Sequence, residues 1–328
     1  MLAEGGQGKL SLKKLNNQIT DNSRFCFSLK KMDQQKASLQ SLARTIPFIE
    51  KTKNFKITPH NIGRIGILID LKDAPGLQVR PSVFIALIEF LKFRGFDPSN
   101  LFLCTFSKND FQNFTPSNHH SIQAIAKVSS SFGPYFNKEW FYDSSMPPGR
   151  HDRAKFFIKY RNNLGVRTVE ERKSMLPACL FEDDVFWISL GVARYSSILG
   201  IDGATTGATL FASTNTERFL SDTTLGPVAA TEMLAIPEFW QKHLFSLIDL
   251  DQFQIASWPG FNAEYRFGED TVILGTNPVA VDYFALNSIL SKRKEMGFSN
   301  NKNSLYPLFK FASELGLEDA TTLELLEK

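Results

Sequence analysis

Apolar residues gather along this chain in short runs between polar, Gly- and Pro-rich connections, and IGRIGILIDL at 62–71 is the clearest of them. A continuous apolar stretch of that length is the pattern of a central parallel strand covered on both faces. KDAPGLQ then supplies Pro and Gly for a loop. RPSVFIALIEFLKFRGF reads as a helix that stops at Gly95, because a residue free to take positive φ commonly ends a helix. NLFLCTF, at 100–106, is the next strand. Strand, loop, helix and strand within about 45 residues make a βαβ unit, whose crossover is right-handed.

The same reading extends in both directions. Residues 1–35 are polar and basic and read as an N-terminal extension, leaving 36–328 as the α/β domain. Leu39, Leu42, Ile46 and Ile49 recur at helical intervals and predict an amphipathic helix. NHHSIQAIAKVSS, AKFFIKYRNNLGV and TVEERKSML also read as helical, and DSSMPPGRHDR at 143–153 marks a lobe boundary. DDVFWISLGVA at 183–193 is a strand candidate, followed by the Gly/Thr-rich GIDGATTGATLFAST. PVAATEMLAIPEFWQKHLFSLIDL is read as helix interrupted at Pro237. FQIASW and DTVILGT are late strands, and the chain from 279 is mostly helix. The expected fold class is α/β: a mainly parallel or mixed sheet with flanking helices, in two lobes around a cleft.

Charge changes this picture, because a net +3 conceals two unlike halves. Residues 1–173 hold 27 Lys/Arg against 14 Asp/Glu, and residues 174–328 hold 10 against 20. Either the basic half attracts an anionic partner or the two halves attract each other. No basic run interleaved with aromatics stands out, which argues against nucleic acid. Cys26, Cys104 and Cys179 are far apart in sequence and include no CxxC, so no zinc ribbon and no iron–sulfur cluster is expected. So sparse and odd a count fits a reducing compartment. The first residues lack the apolar core of a signal peptide, and Arg194 breaks the longest apolar stretch. A cytoplasmic protein without membrane contact is expected.

Three segments carry candidate chemistry. In VILGTNPVAVDYFAL, Asn277 suits a helix N-cap and Pro278 the first helical position, which puts Asp282 just beyond the first turn. A carboxylate among apolar neighbours must be hydrogen-bonded or paired, or else its pKa rises. Asp282 therefore either latches a nearby loop or faces a cleft as base or ligand. The loop DLKDAPGLQVRP follows a strand end, where open α/β sheets bind ligands. Asp70, Lys72, Asp73 and Arg80 lie there, and Lys72 with Arg80 suits a carboxylate or phosphate. In GIDGATTGATL, Thr205 and Thr206 belong to a stretch whose backbone amides suit an anion, although no Walker lysine follows. Trp258 and Asn262, in WPGFN, are placed beside the Asp282 turn across one late strand. His119 and His120 lack further ligands at metal spacing, and no metal site is expected.

TVILGTNPVAVDYFAL also resembles the C-terminal signature of the domain of unknown function 362 family, roughly Gly-Thr-Asp-Pro-Val-Ala-Val-Asp. GILID with its following helix, VFWISL, the Gly/Thr stretch and IASWPGFN come in that family's order, over about residues 60–290. The chain departs where Asn277 replaces the motif's first Asp and where GVARYSS replaces a Lys-Thr-His-like element. Family members often carry a ferredoxin-like cysteine cluster or an export signal, and this chain has neither. The resemblance implies an activity that is largely unassigned across the family.

Two functions are therefore expected. One is an enzyme on a small anionic substrate at the strand C-termini, with Asp282 and Lys72 catalytic. Its binding residues would be Asp73, Arg80, Thr205, Thr206, Trp258, Asn262 and Asn277. The other is a non-catalytic binding or scaffold protein with a degenerate cleft. Convergence of Lys72, Arg80 and Asp282 in one pocket favours the first, and their scattering favours the second. The residues identify no cofactor and no oligomeric state.

Overall fold

The computed structural model describes residues 25–106, 108–114, 116, 119–130, 134–137, 139–144, 172–220, 223–256, 260–300, 307–317 and 324–327. In chain order its strands are β1 (Phe25–Lys30), β2 (Arg64–Ile69), β3 (Leu101–Cys104), β4 (Ala126–Val128), β5 (Phe141–Asp143) and β6 (Lys173–Met175). Then come β7 (Val185–Ser196), β8 (Gly200–Asp202), β9 (His243–Gln254), β10 (Arg266–Phe267), β11 (Thr271–Gly275) and β12 (Glu324–Glu327). The helices are α1 (Gln35–Thr52), α2 (Pro81–Phe93), α3 (Lys108–Asn113), α4 (His120–Gln123) and α5 (Ala204–Ala208). They continue with α6 (Leu225–Leu234), α7 (Pro237–Trp240), α8 (Pro278–Glu295) and α9 (Pro307–Glu314).

Among the described residues, ten strands form one mixed sheet in the order β12-β1-β11-β9-β7-β2-β3-β4. β8 flanks β7 and β10 flanks β9. On that path β11 alone runs against its neighbours. The expected βαβ unit is present: β2 lies parallel to β3, with Ile65 opposite Leu101 and Leu68 opposite Cys104. α2 starts on Pro81 at its first turn and ends where Gly95 takes φ +96°, its N–H donating to Lys92 O at 2.9 Å. Only glycine takes that backbone region without cost, so this residue terminates the helix.

Burial explains the layering. Ile65, Ile67 and Ile69 face α1 and α2, in a core with Leu42, Ile46, Phe84 and Leu87. Leu68 faces the opposite core, which α6, α8 and α9 close with Met233, Leu234, Val281, Ile289 and Phe309. A strand covered on both faces must be apolar along its buried positions, and β2 is from Ile65 to Ile69, with only Arg64 at its half-buried start charged. The two lobes expected around 143–153 share one sheet, for β2 and β7 pair directly across that position.

Several expected elements differ. Phe25–Lys30, assigned to the extension, is strand β1 between β12 and β11. HLFSLIDLDQFQ, read partly as helix and partly as a strand starting at 253, is the 12-residue strand β9. A fully buried strand shows no alternation, so its apolar run is indistinguishable by period from the helix before it. Pro237 interrupts the helix as expected and opens the four-residue α7, after which the chain changes to strand β9 at His243. The helix expected over 118–130 shrinks to α4, followed by β4, and 173–175 is strand β6. The helix expected at 154–166 lies outside the described residues. Among the described residues, no helix is long and apolar enough to cross a membrane.

Trp187 anchors the lower end of β7: it is fully buried, stacks on Phe239 at 4.3 Å and donates its indole N–H to Phe239 O at 2.9 Å. Trp187→Ala is expected to cost roughly 3–5 kcal/mol through the cavity it leaves, read as a lowered urea midpoint. A midpoint unchanged from wild type would show that this aromatic stack does not anchor the strand.

Candidate functional site

The parallel strands β2, β7 and β9 end along one edge of the sheet, and that edge holds two clusters of charge. Strand alternation separates them. Asp70 shares the face of Leu68, while Asp249 shares the face of Phe245 and Leu247, and these apolar residues belong to opposite cores. The loop 71–80 crosses the edge between the two, with Lys72 and Asp73 at its start and Arg80 at its end.

The first cluster is built on Arg194, in β7. Only 1% exposed, it pairs through Nη1 with Asp70 Oδ2 at 2.6 Å and through Nε with Asp73 Oδ2 at 2.6 Å. Asp202, at the end of β8 and fully buried, stands 3.6 Å from Arg194 Nη1 and holds the Lys72 ammonium. Thr206 donates its hydroxyl to Asp202 Oδ1 at 3.0 Å and accepts the Gly203 N–H at 2.9 Å. Lys72 lies over the Phe211 ring, 3.6 Å from its centroid. Burial alone would raise the Asp70 carboxyl, but the Arg194 and Lys72 charges outweigh it and bring Asp70 down to about 2. For Asp73 burial wins over Arg194, and its carboxyl moves up.

Asp282 supports this cluster from beneath. It is fully buried, and its two oxygens accept the Ala204 N–H at 2.6 Å and the Thr205 N–H at 2.8 Å. Of the two readings of this residue, the geometry is that of a latch: α8 holds the first turn of α5. The spacing Asn-Pro works as expected, with Asn277 Oδ1 accepting the Val279 N–H at 2.9 Å and Pro278 opening α8. Gly203 has no alternative here, since a Cβ would meet Asp282 Oδ1 at 2.3 Å. Burial pushes the Asp282 carboxyl up to about 7, against the pull of the Thr205 and Ala204 bonds and with a further push from Asp202.

Arg80 belongs to the second cluster and does not join Lys72. Its backbone N–H donates to Asp249 Oδ2 at 2.8 Å, and its guanidinium pairs with Asp249 at 2.9 Å, Asp33 at 2.8 Å and Asp270 at 2.7 Å. Four carboxylates, counting Asp251 at 3.8 Å, thus surround the cation expected to bind an anion. Asn262 caps a short turn through the Glu264 N–H at 2.9 Å, and Asn277 also donates to Leu317 O at 2.7 Å, so both serve local structure. Trp258 lies outside the described residues. Of the expected residues, Lys72, Asp73, Thr205, Thr206 and Asp282 come together.

Asp202 and Arg194 were not among the expected site residues. Arg194 left a signal, being a charge inside an otherwise apolar strand, whereas Asp202 left none beyond its Gly/Thr-rich neighbours. No group of three or more metal-ligating side chains suited to an ion occurs among the described residues. A groove lined by Pro47, Lys51, Asn54, Phe55, Lys56 and Asn61 lies at the other end of β2, away from this chemistry.

No family model matches the chain, and no curated protein is similar to it. Among solved structures it is similar to a crystal structure of a Thermotoga maritima protein from the Northeast Structural Genomics Consortium, at 12% identity and a TM-score of 0.44. The match covers 81% of this chain and 60% of that one, so the chain spans less than two thirds of that protein's length.

Two expectations follow from the clusters. Asp282, raised from 3.8 to about 7, keeps its proton in the folded state where the unfolded chain releases it. Its contribution to stability therefore falls as pH rises from about 4 to about 7 and is flat above. Asp282→Asn carries no such proton, so the variant should lose less stability than wild type across that window in urea titrations. Parallel pH profiles would defeat the assignment. In the second cluster, Arg80→Met leaves the buried Asp249 without its cation and should cost about 3–5 kcal/mol by the same measurement.

Proposed function

We propose that the protein binds and acts on a small anionic molecule, a carboxylate or phosphate, over the ends of β2, β7 and β8, with Lys72 as the contacting cation. One observation carries this reading. The Lys72 side chain is 26% exposed, while the carboxylate that fixes it, Asp202, is fully buried. An ammonium has three donors, of which Asp202 takes one and the Phe211 ring faces another direction, leaving the solvent side for a ligand. Arg194 adds support, because its buried Nη2 has no hydrogen-bond acceptor. Asp73, Thr205 and Thr206 shape the floor, and Asp282 acts as a positioning residue through α5. The resemblance to the domain of unknown function 362 family is part of this proposal.

A second reading has its own observation. Both cations of the cluster are already paired within the protein, and both Asp282 oxygens are taken by backbone amides. Such closure suits a non-catalytic binding or scaffold protein.

Inorganic phosphate separates the two. At a concentration 100 times its dissociation constant, a ligand bound only by the folded state adds about 2.7 kcal/mol of stability. Phosphate should raise the melting temperature of wild type, and Lys72→Met should abolish that rise while Lys72→Arg keeps part of it. Native mass spectrometry of freshly purified protein would identify any retained ligand. Equal phosphate responses in wild type and Lys72→Met would sink the anion site and leave the scaffold reading.

A further inference from the structure

Cys104 closes β3, and Cys179 lies in the turn Ala178–Leu180 that leads towards β7. The two residues are 75 positions apart, yet their sulfurs are 3.6 Å from each other and both side chains are buried free thiols. Neither belongs to the charged clusters. Both nevertheless connect to the segments that carry the Lys72 cluster. Cys104 stands opposite Leu68 in the sheet, two positions before Asp70. The turn is tied by the Ala178 N–H to Tyr135 O at 2.6 Å, and Tyr135 donates its hydroxyl to Ala212 O at 2.9 Å. Ala212 is the neighbour of Phe211, which covers Lys72.

We propose that Cys104 and Cys179 form a reversible dithiol–disulfide pair that pins this turn to the end of β3 when a small-molecule disulfide, such as oxidised glutathione, acts as oxidant. Sulfurs 3.6 Å apart on two separate elements are already within reach of each other, whereas thiols on distant elements would need large backbone movement to meet. Cys179 keeps 3% exposure against none for Cys104, which makes it the first to meet the oxidant. Its thiolate attacks one oxidant sulfur, forming a mixed disulfide and expelling one small thiolate. Cys104 then gives up its proton, attacks the Cys179 sulfur and expels the second small thiolate. Two S–H bonds and the oxidant's S–S bond are lost, and one protein S–S bond forms. The protein loses two electrons, and two small thiols leave with the two protons. Burial pushes the Cys104 thiol well up, with the neighbouring Cys179 adding to it, so closure is slow at neutral pH and faster in base.

The test uses the intact chain, incubated without denaturant in oxidised glutathione at about pH 8, then denatured and alkylated. The expected product carries one alkyl group, on Cys26, has lost two hydrogens by intact mass and yields a peptide joining Cys104 to Cys179. Dithiothreitol should restore three alkylated cysteines, and the oxidised form should melt at a higher temperature than the reduced one. Cys179→Ser should give no internal crosslink and no rise in melting temperature. Three alkylated cysteines after prolonged oxidation, a crosslink through Cys26, or closure only once urea is present would each overturn the proposal.

Discussion

A guanidinium at 1% exposure is tolerated only if carboxylates meet it, and Arg194 is met by three. Those carboxylates come from the end of β2, from the loop after it and from β8, so one buried cation ties three segments of the chain at the sheet's carboxyl edge. The arrangement works in both directions. Without Arg194, Asp70 and Asp202 would be buried anions 3.6 Å or less from where their counter-charge stood, and would have to take up protons or seek water. Lys72 is secondary to this: it neutralises Asp202 from the solvent side, where Arg194 approaches from within. The partly exposed Lys72 ammonium is therefore held by a carboxylate that has its own reason to stay.

The uneven charge along the chain finds a physical account in these contacts. Arg64 pairs with Glu182 and Asp184, Lys72 with Asp202, and Arg80 with Asp249 and Asp270. In each case a cation of the basic half, in β2 or the loop after it, meets anions of the acidic half in or beside β7, β8, β9 and β11. Of the two explanations for the asymmetry, mutual attraction of the halves accounts for these three side chains. Much of the apparent anion-binding capacity is thereby directed inward, and Arg80 is the clearest instance.

What was legible in the sequence follows from how local its cause is. α2 and β2 could be read because Pro81, Gly95 and an unbroken apolar run act within a few residues. Asn277 and Pro278 announced the start of α8 for the same reason. β9 was hidden because burial on both faces erases the period that distinguishes strand from helix. β1 was hidden by its polar flanks, although FCFSLK pairs along its length with β11. Lys72 and Arg80 looked like partners because they are eight positions apart, but the loop between them crosses the sheet edge and delivers them to opposite faces. Asp202 and Arg194 depend on partners 130 and 124 positions away, and no spacing rule reaches that far.

The stretch around Asp282 shows how a structural latch can set the geometry of a charged cluster it does not itself join. Its carboxylate holds the first amides of α5, and the next residue in that turn, Thr206, holds Asp202, which in turn holds Lys72. Each step is a short hydrogen bond or ion pair, so the position of the exposed ammonium is set by a residue that never meets solvent. Gly203 is the joint of this chain of contacts, because the space its missing Cβ leaves is where Asp282 sits. A rigid α8, packed on β9, β7 and β11, thus fixes the turn that shapes the strand-end surface. The carboxylate lies among apolar neighbours because it must be dry to hold two amides strongly, and the raised pKa is the electrostatic cost of keeping it there.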